Sequence, residues 1–161
     1  MNMENITLAS LGIPRVLNAA TTYTRIGGSR MAPEVLAAMV QGASDFVELE
    51  ELHKVAGGRI AKLTHNEAAY VTPGCAGAIV LSVLAILDLN KSATKNEFII
   101  DHTHMVDYVQ SIEFAGGVIK EIGTEGERSE AELINAFNEK TAGIFFVPGL
   151  NRPPGALSIQ R

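Results

Sequence analysis

The sequence predicts an α/β fold in which helices cover a mainly parallel sheet, and three observations carry that reading. Short apolar runs at Glu97–Asp101, Val118–Ile122 and Gly143–Val147 alternate with segments of helical pattern, an order that implies parallel pairing. The stretch Ala68–Leu87 (AAYVTPGCAGAIVLSVLAIL) reads as a short buried strand, a turn of small residues and an apolar helix. No internal repeat, low-complexity tract or linker interrupts the chain.

Residues 1–31 form an irregular arm rich in Thr, Gly and Arg. Met31–Gly42 follows as a helix: Pro33 suits its first turn, Gly42 suits a left-handed exit, and Val35, Leu36, Met39 and Val40 share one face. The arm and this helix make a first region, 1–45, ahead of the main body, 46–161. A second helix is expected from Phe46 to Leu63, started by Asp45 with Glu48 as a capping box. Leu49, Leu52, Val55, Ala56, Ile60 and Leu63 form its apolar stripe. Gly57 and Gly58 each cost this helix about 1 kcal/mol relative to Ala, which predicts a close neighbour or a kink there.

Ala69–Val71 is then the strand that enters the small-residue turn, and the helix after it runs to Leu87. Beyond the strand Glu97–Asp101 come a helix over Val106–Ala115 and the strand Val118–Ile122. Ser129 and Glu132 form a second capping box, for a helix to about Asn138. Gly143–Val147 (GIFFV) closes the series as a strand, and the remainder reads as a turn-rich loop.

Composition narrows the function classes. The chain has 161 residues, 47% of them hydrophobic and 19% charged, with a formal net charge of -5, which is ordinary soluble globular material. That acidic balance disfavours binding to nucleic acid. A single cysteine, Cys75, excludes an intrachain disulfide and fits a reducing compartment, so a cytoplasmic location is expected. The start of the chain lacks a basic segment followed by an apolar run, and Ile79–Leu87 is too short to span a bilayer, so no membrane association is expected.

The turn at Gly74, Cys75, Ala76 and Gly77 carries the chemistry. Residues this small let an anion approach the free amides of a first helical turn, whose dipole favours negative charge. Small residues also let a helix pack closely on a strand, and spacing alone leaves both readings open. Neither GxGxxG nor GxxxxGK[ST] accompanies the turn.

Four segments in order, LGIPRVLNAATTYTRIGGSRMAPEVLAAM, DFVELEELHKVAGGRIAKLTHNEAAYVTPGCAGAI, HMVDYVQSIEFAGGVIKEIG and TAGIFFVPGLNRPPGAL, give the chain a resemblance that no single turn could. It resembles the N-terminal part of fold type I pyridoxal-phosphate enzymes of the selenocysteine synthase-like group. That group holds selenium transferases and ammonia lyases of amino-sugar acids, and the arm TYTRIGGSRM is more similar to the lyases. The resemblance implies an incomplete aspartate-aminotransferase-like large domain.

It also implies roles. Gly74, Cys75 and Ala76 match the turn that cups the phosphate of pyridoxal 5'-phosphate, with Cys75 a small backbone donor rather than a nucleophile. His104 matches the residue that stacks on the pyridine ring. Its neighbour His102 leaves open a two-histidine metal site, which has no third ligand of obvious spacing. Thr24 and Arg25 match an arm that approaches the substrate, where Arg25, or equally Arg30, could pair with a carboxylate or phosphate; the alternative is that these arginines anchor the arm to acidic surface. Thr21 and Met105 depart from the group, which commonly has Gly and a basic residue there.

The Schiff-base lysine and the aspartate that pairs with the pyridinium nitrogen fall beyond residue 161 in the family order. The six lysines Lys54, Lys62, Lys91, Lys95, Lys120 and Lys140 stand outside the expected context. The expectation is therefore the front part of a lyase or transferase that abstracts an α-proton from an amino acid or amino-sugar acid and eliminates a β-substituent or ammonia. The parent is expected to be a homo-oligomer, and these residues alone to be inactive. Two other classes stay open: a non-catalytic phosphate-ligand module, and a subunit-interaction protein derived from such an enzyme.

Overall fold

In a computed structural model of the chain, residues 6–20, 22–90, 94–124 and 130–147 are described. Thr21, Lys91, Ser129 and the expected C-terminal loop lie outside them. The chain divides into two units, residues 1–52 and 53–161.

In the first unit the described part of the arm holds a hydrogen-bonded turn, with Leu11 N–H to the Thr7 carbonyl at 3.1 Å and Ile13 N–H to the Leu8 carbonyl at 2.9 Å, and one closed loop. Tyr23 and Gly28 form an antiparallel bridge with mutual N–H to C=O bonds of 3.3 and 2.9 Å, around a 3-10 turn over Thr24–Ile26. Gly27 and Gly28, at φ 93° and 78°, supply the left-handed geometry that closes the loop. Helix α1 (Pro33–Gly42) has Pro33 in its first turn, as the sequence predicts. Gly42 instead lies inside the helix, and Ala43 caps it in right-handed conformation, so no left-handed exit is used. Val35, Leu36, Met39 and Val40 are all exposed.

Helix α2 (Leu49–Thr64) begins three residues later than the capping-box reading requires. The Glu48 carbonyl accepts the first helical bond, from Leu52 N–H at 3.0 Å, which makes Glu48 the cap position and leaves Asp45 outside. Its expected apolar stripe is not the buried face: Leu49, Leu52, Val55, Ile60 and Leu63 are exposed, and the buried residues are Gly57 and Ala61. A left-handed His65 (φ 57°) ends the helix, and Asn66 N–H reaches back to the Ala61 carbonyl at 2.9 Å, a Schellman closure.

The second unit is built on a three-stranded parallel sheet in the order β2-β1-β3. Its strands are β1 (Glu97–Asp101), β2 (Val118–Ile122) and β3 (Thr141–Phe145). The first two match the sequence reading; β3 starts two residues earlier than GIFFV, with Gly143 opposite Phe98 after a register shift beside Glu97. Ala69–Val71 forms no strand: residues 68–72 make no ladder, and Tyr70 and Val71 are exposed, because none of the described strands lies beside them.

The central strand β1 is buried on both faces. On one side Phe98 and Ile100 join Val83 of helix α3 (Cys75–Asn90) and Ile112 of helix α4 (Gln110–Phe114) in the main core. On the other, Ile99 packs with Ile122 and with Ala136 of helix α5 (Glu130–Ala136). Helix α4 is shorter than the expected Val106–Ala115, because residues 107–109 form a turn, closed by Val109 N–H to the Val106 carbonyl at 3.0 Å, before it starts. The second expected capping box includes Ser129 and so lies outside the described residues; Glu132 Oε1 accepts from Gly123 N–H at 2.9 Å.

Candidate cofactor site

The segment that leads into the small-residue turn is seated on α2. A methyl group at Gly57 would stand 2.2 Å from the Ala69 carbonyl oxygen, so only glycine permits this approach. One helical turn earlier, the His53 ring stacks on Tyr70 with centroids 4.8 Å apart and planes at 17°. The close neighbour that the glycine pair predicts is thus real at Gly57, while Gly58 faces open space.

From this seat the chain reaches Gly74 at φ 153°, a conformation that L side chains rarely adopt. The Thr72 hydroxyl donates to the Gly74 carbonyl at 2.9 Å, and the same carbonyl accepts the first bond of α3, from Ala78 N–H at 3.1 Å. The amides of Cys75, Ala76 and Gly77 therefore precede the first helical bond and head a helix of 16 residues. Gly74, Cys75 and Ala76 are all exposed, so these donors are open to an anion. Cys75 is a free thiol. A groove of about 440 Å³ runs alongside, lined by Tyr70, Thr72, Ala78, Leu81, Ser82 and Ala85.

The second part of the site follows β1. Asp101, the last residue of that strand, caps the 3-10 turn His102–His104: its Oδ1 accepts from Thr103 N–H at 2.8 Å and from the Thr103 hydroxyl at 2.7 Å. The turn sends its two histidines to different places. His104 is buried, 4% exposed, with its ring 4.3 Å from that of Phe146, just past β3, and tilted by 52°. His102 is partly exposed and pairs through Nδ1 with Glu121 of β2. Among the described residues no three His, Cys, Asp or Glu side chains gather as metal ligands.

These groups share one edge of the sheet. Because the strands are parallel, the residues after β1 and β3 emerge at the carboxyl edge, where open α/β sheets bind ligands. Ala76 and Gly77, at the head of α3, line a cleft together with Gln110 and Ser111 at the start of α4, the helix that follows β1. Thr24 and Arg25 belong to the other unit, exposed on the loop closed by Tyr23 and Gly28.

Asp101, Thr103, Phe146 and the Gly57 seat are absent from the sequence-based site. An Asp two residues before a Thr is a recognisable turn signal, while the glycine pair announces a close neighbour but not that the neighbour is Ala69.

Lysine placement is informative too. Lys120 donates to the Ala136 carbonyl at 2.8 Å, at the C-terminal end of α5, with Glu97 at 4.0 Å. That is the opposite edge, where β1 and β3 begin. Lys54, Lys62, Lys95 and Lys140 are exposed. No helix among the described residues is long and apolar enough to cross a membrane.

No protein-family model matches the chain. It is 32% identical over 151 residues to D-glucosaminate-6-phosphate ammonia lyase of Salmonella typhimurium, covering 85% of this chain and 41% of that protein. It is 26% identical over 152 residues to a 5'-C-glycyluridine monooxygenase-decarboxylase of a Streptomyces species, covering 85% of this chain and 38% of that one. L-seryl-tRNA(Sec) selenium transferase of Hyphomonas neptunium is 29% identical over 130 residues, 74% of this chain and 28% of the relative. A solved structure of D-glucosaminate-6-phosphate ammonia-lyase superposes with a TM-score of 0.83 at 31% identity, covering 97% of this chain and 46% of its own. The chain thus spans less than half the length of each of these relatives. Over that span, agreement in sequence and in fold identifies the chain as a homologue of D-glucosaminate-6-phosphate ammonia lyase and L-seryl-tRNA(Sec) selenium transferase, with the fold of the ammonia-lyase structure.

Proposed function

We propose that these residues form the phosphate-binding part of a pyridoxal-phosphate enzyme of lyase or transferase type, acting on an amino acid or amino-sugar acid. The observation that carries the proposal is the exposed amide cup at the head of α3, within a chain that matches an ammonia-lyase structure over 97% of its length. Gly74, Cys75 and Ala76 would hold the phosphate through backbone N–H groups, a donor set suited to a dianion because it needs no side chain and gains from the helix dipole. His104 would lie against the pyridine ring. Thr24 and Arg25 would meet the substrate, Arg25 through a bidentate pair with its acid group.

When bound, pyridoxal phosphate supplies an electron sink for negative charge at the substrate α-carbon. This chain's residues bind and orient it. Proton abstraction at the α-carbon needs a lysine, and the Lys120 side chain is committed to the opposite edge of the sheet. On this reading the lysine and the acidic partner of the pyridinium nitrogen come from the rest of the protein, and residues 1–161 alone are inactive. The whole protein is proposed to be a cytoplasmic homo-oligomer.

The test is a titration with pyridoxal phosphate, pyridoxal and inorganic phosphate. Saturable binding of pyridoxal phosphate, displaced by inorganic phosphate and much weaker for pyridoxal, supports the cup. Equal affinity for pyridoxal and pyridoxal phosphate would refute it.

A further inference from the structure

We infer that Asp101 and Thr103 are positioning residues for His104: the Asp101 carboxylate, clamped to the Thr103 amide and hydroxyl, fixes the turn that aims the imidazole. The inference rests on the proposed stacking of His104 on the cofactor ring and adds the device that sets its angle.

Three observations carry it. First, a turn of only three residues has little stability of its own, since 3-10 geometry is poor and its first bond must fix several dihedrals at once. Its shape therefore depends on its cap. Second, Asp101 is 5% exposed, and a buried carboxylate is costly unless hydrogen bonds satisfy it. Its Oδ1 takes two donors from one residue, at 2.8 and 2.7 Å, which fixes Thr103 in both backbone and side chain. Third, the two histidines flanking Thr103 are held by different strands, His102 by Glu121 of β2 and His104 by Phe146 after β3. Rotation of the Thr103 peptide would move both rings at once. The Thr103 hydroxyl blocks that rotation.

The decisive variants are Thr103→Val, which keeps the shape and removes the donor, and Thr103→Ser, which restores the donor. Each is made alone and with His104→Ala, and all are read by pyridoxal phosphate affinity, by the absorption band of the bound cofactor and by thermal midpoint. Thr103→Val is expected to weaken binding about tenfold, the scale of one hydrogen bond to a carboxylate, and to shift the band. Thr103→Ser is expected to restore both, and Thr103→Val is expected to add nothing once His104 is Ala. Unchanged binding in Thr103→Val, or an equal loss with and without His104, would overturn the inference. A separate readout without cofactor is the pair of His104 ring-nitrogen chemical shifts, expected to move in Thr103→Val and not in Thr103→Ser. If they move while His104→Ala binds cofactor normally, the stacking role fails and the positioning stands; if they do not move, the positioning fails.

Discussion

Gly57 and Ala69 meet at backbone distance: a methyl group on Gly57 would lie 2.2 Å from the Ala69 carbonyl oxygen. The contact sets the path of the segment that ends, at Gly74, in the amide cup. Its neighbour Gly58 has nothing within 4 Å of an added methyl, so the two glycines form a matched pair. Gly58→Ala is expected to stabilise the protein by up to about 1 kcal/mol through helix propensity alone. Gly57→Ala is expected to destabilise it by about 1–3 kcal/mol through overpacking. Urea denaturation of both variants checks the contrast, and equal effects would remove the seat.

At Gly74 the constraint is conformational, since open space surrounds it and φ is 153°. A side chain there strains the backbone by roughly 1–3 kcal/mol. Gly74→Val should therefore lower both the denaturation midpoint and pyridoxal phosphate affinity, whereas Gly77→Ala, whose methyl would meet its nearest atom at an ordinary 3.7 Å, should change stability little.

Ile112 is fully buried in the core shared by α3, α4 and β1. Ile112→Ala is expected to destabilise by about 2–5 kcal/mol through lost burial and a residual cavity. Exposed Phe114 on the same helix gives the control: Phe114→Ala should change stability by less than about 0.5 kcal/mol.

Lys120 distinguishes a structural amine from a covalent one. Because its Nζ caps the end of α5, Lys120→Met is expected to cost about 1 kcal/mol of stability, one hydrogen bond. Borohydride reduction in the presence of pyridoxal phosphate should not label Lys120 selectively. Stoichiometric labelling at Lys120, read by peptide mass spectrometry, would contradict its assigned place.

Much of this architecture is legible in the sequence because the deciding forces are local. EFIID and VIKEI are short runs rich in apolar β-branched residues and form β1 and β2 over the same residues. The order of segments carried the homology, and the glycine at 74 announced a turn. What failed depended on partners distant in sequence. The α2 stripe is apolar yet exposed, and the face that is buried is the one of small residues, Gly57 and Ala61. Ala69–Val71 has strand composition but no neighbour to pair with among the described strands, so pattern could not become ladder. The capping box expected at Asp45 gives way to a later start, where the Glu48 carbonyl accepts the first helical bond. For the candidate site, the sequence names Gly74, Cys75, Ala76 and His104 as expectations. The clamp of Asp101 on Thr103 was written in DHTH but has meaning only once His104 is seen packed on Phe146.

A structure of the protein determined with pyridoxal phosphate tests the phosphate cup most directly. Phosphate oxygens are expected about 2.7–3.2 Å from the amide nitrogens of Cys75 and Ala76. A phosphate bound elsewhere, with those amides left to solvent, would contradict it.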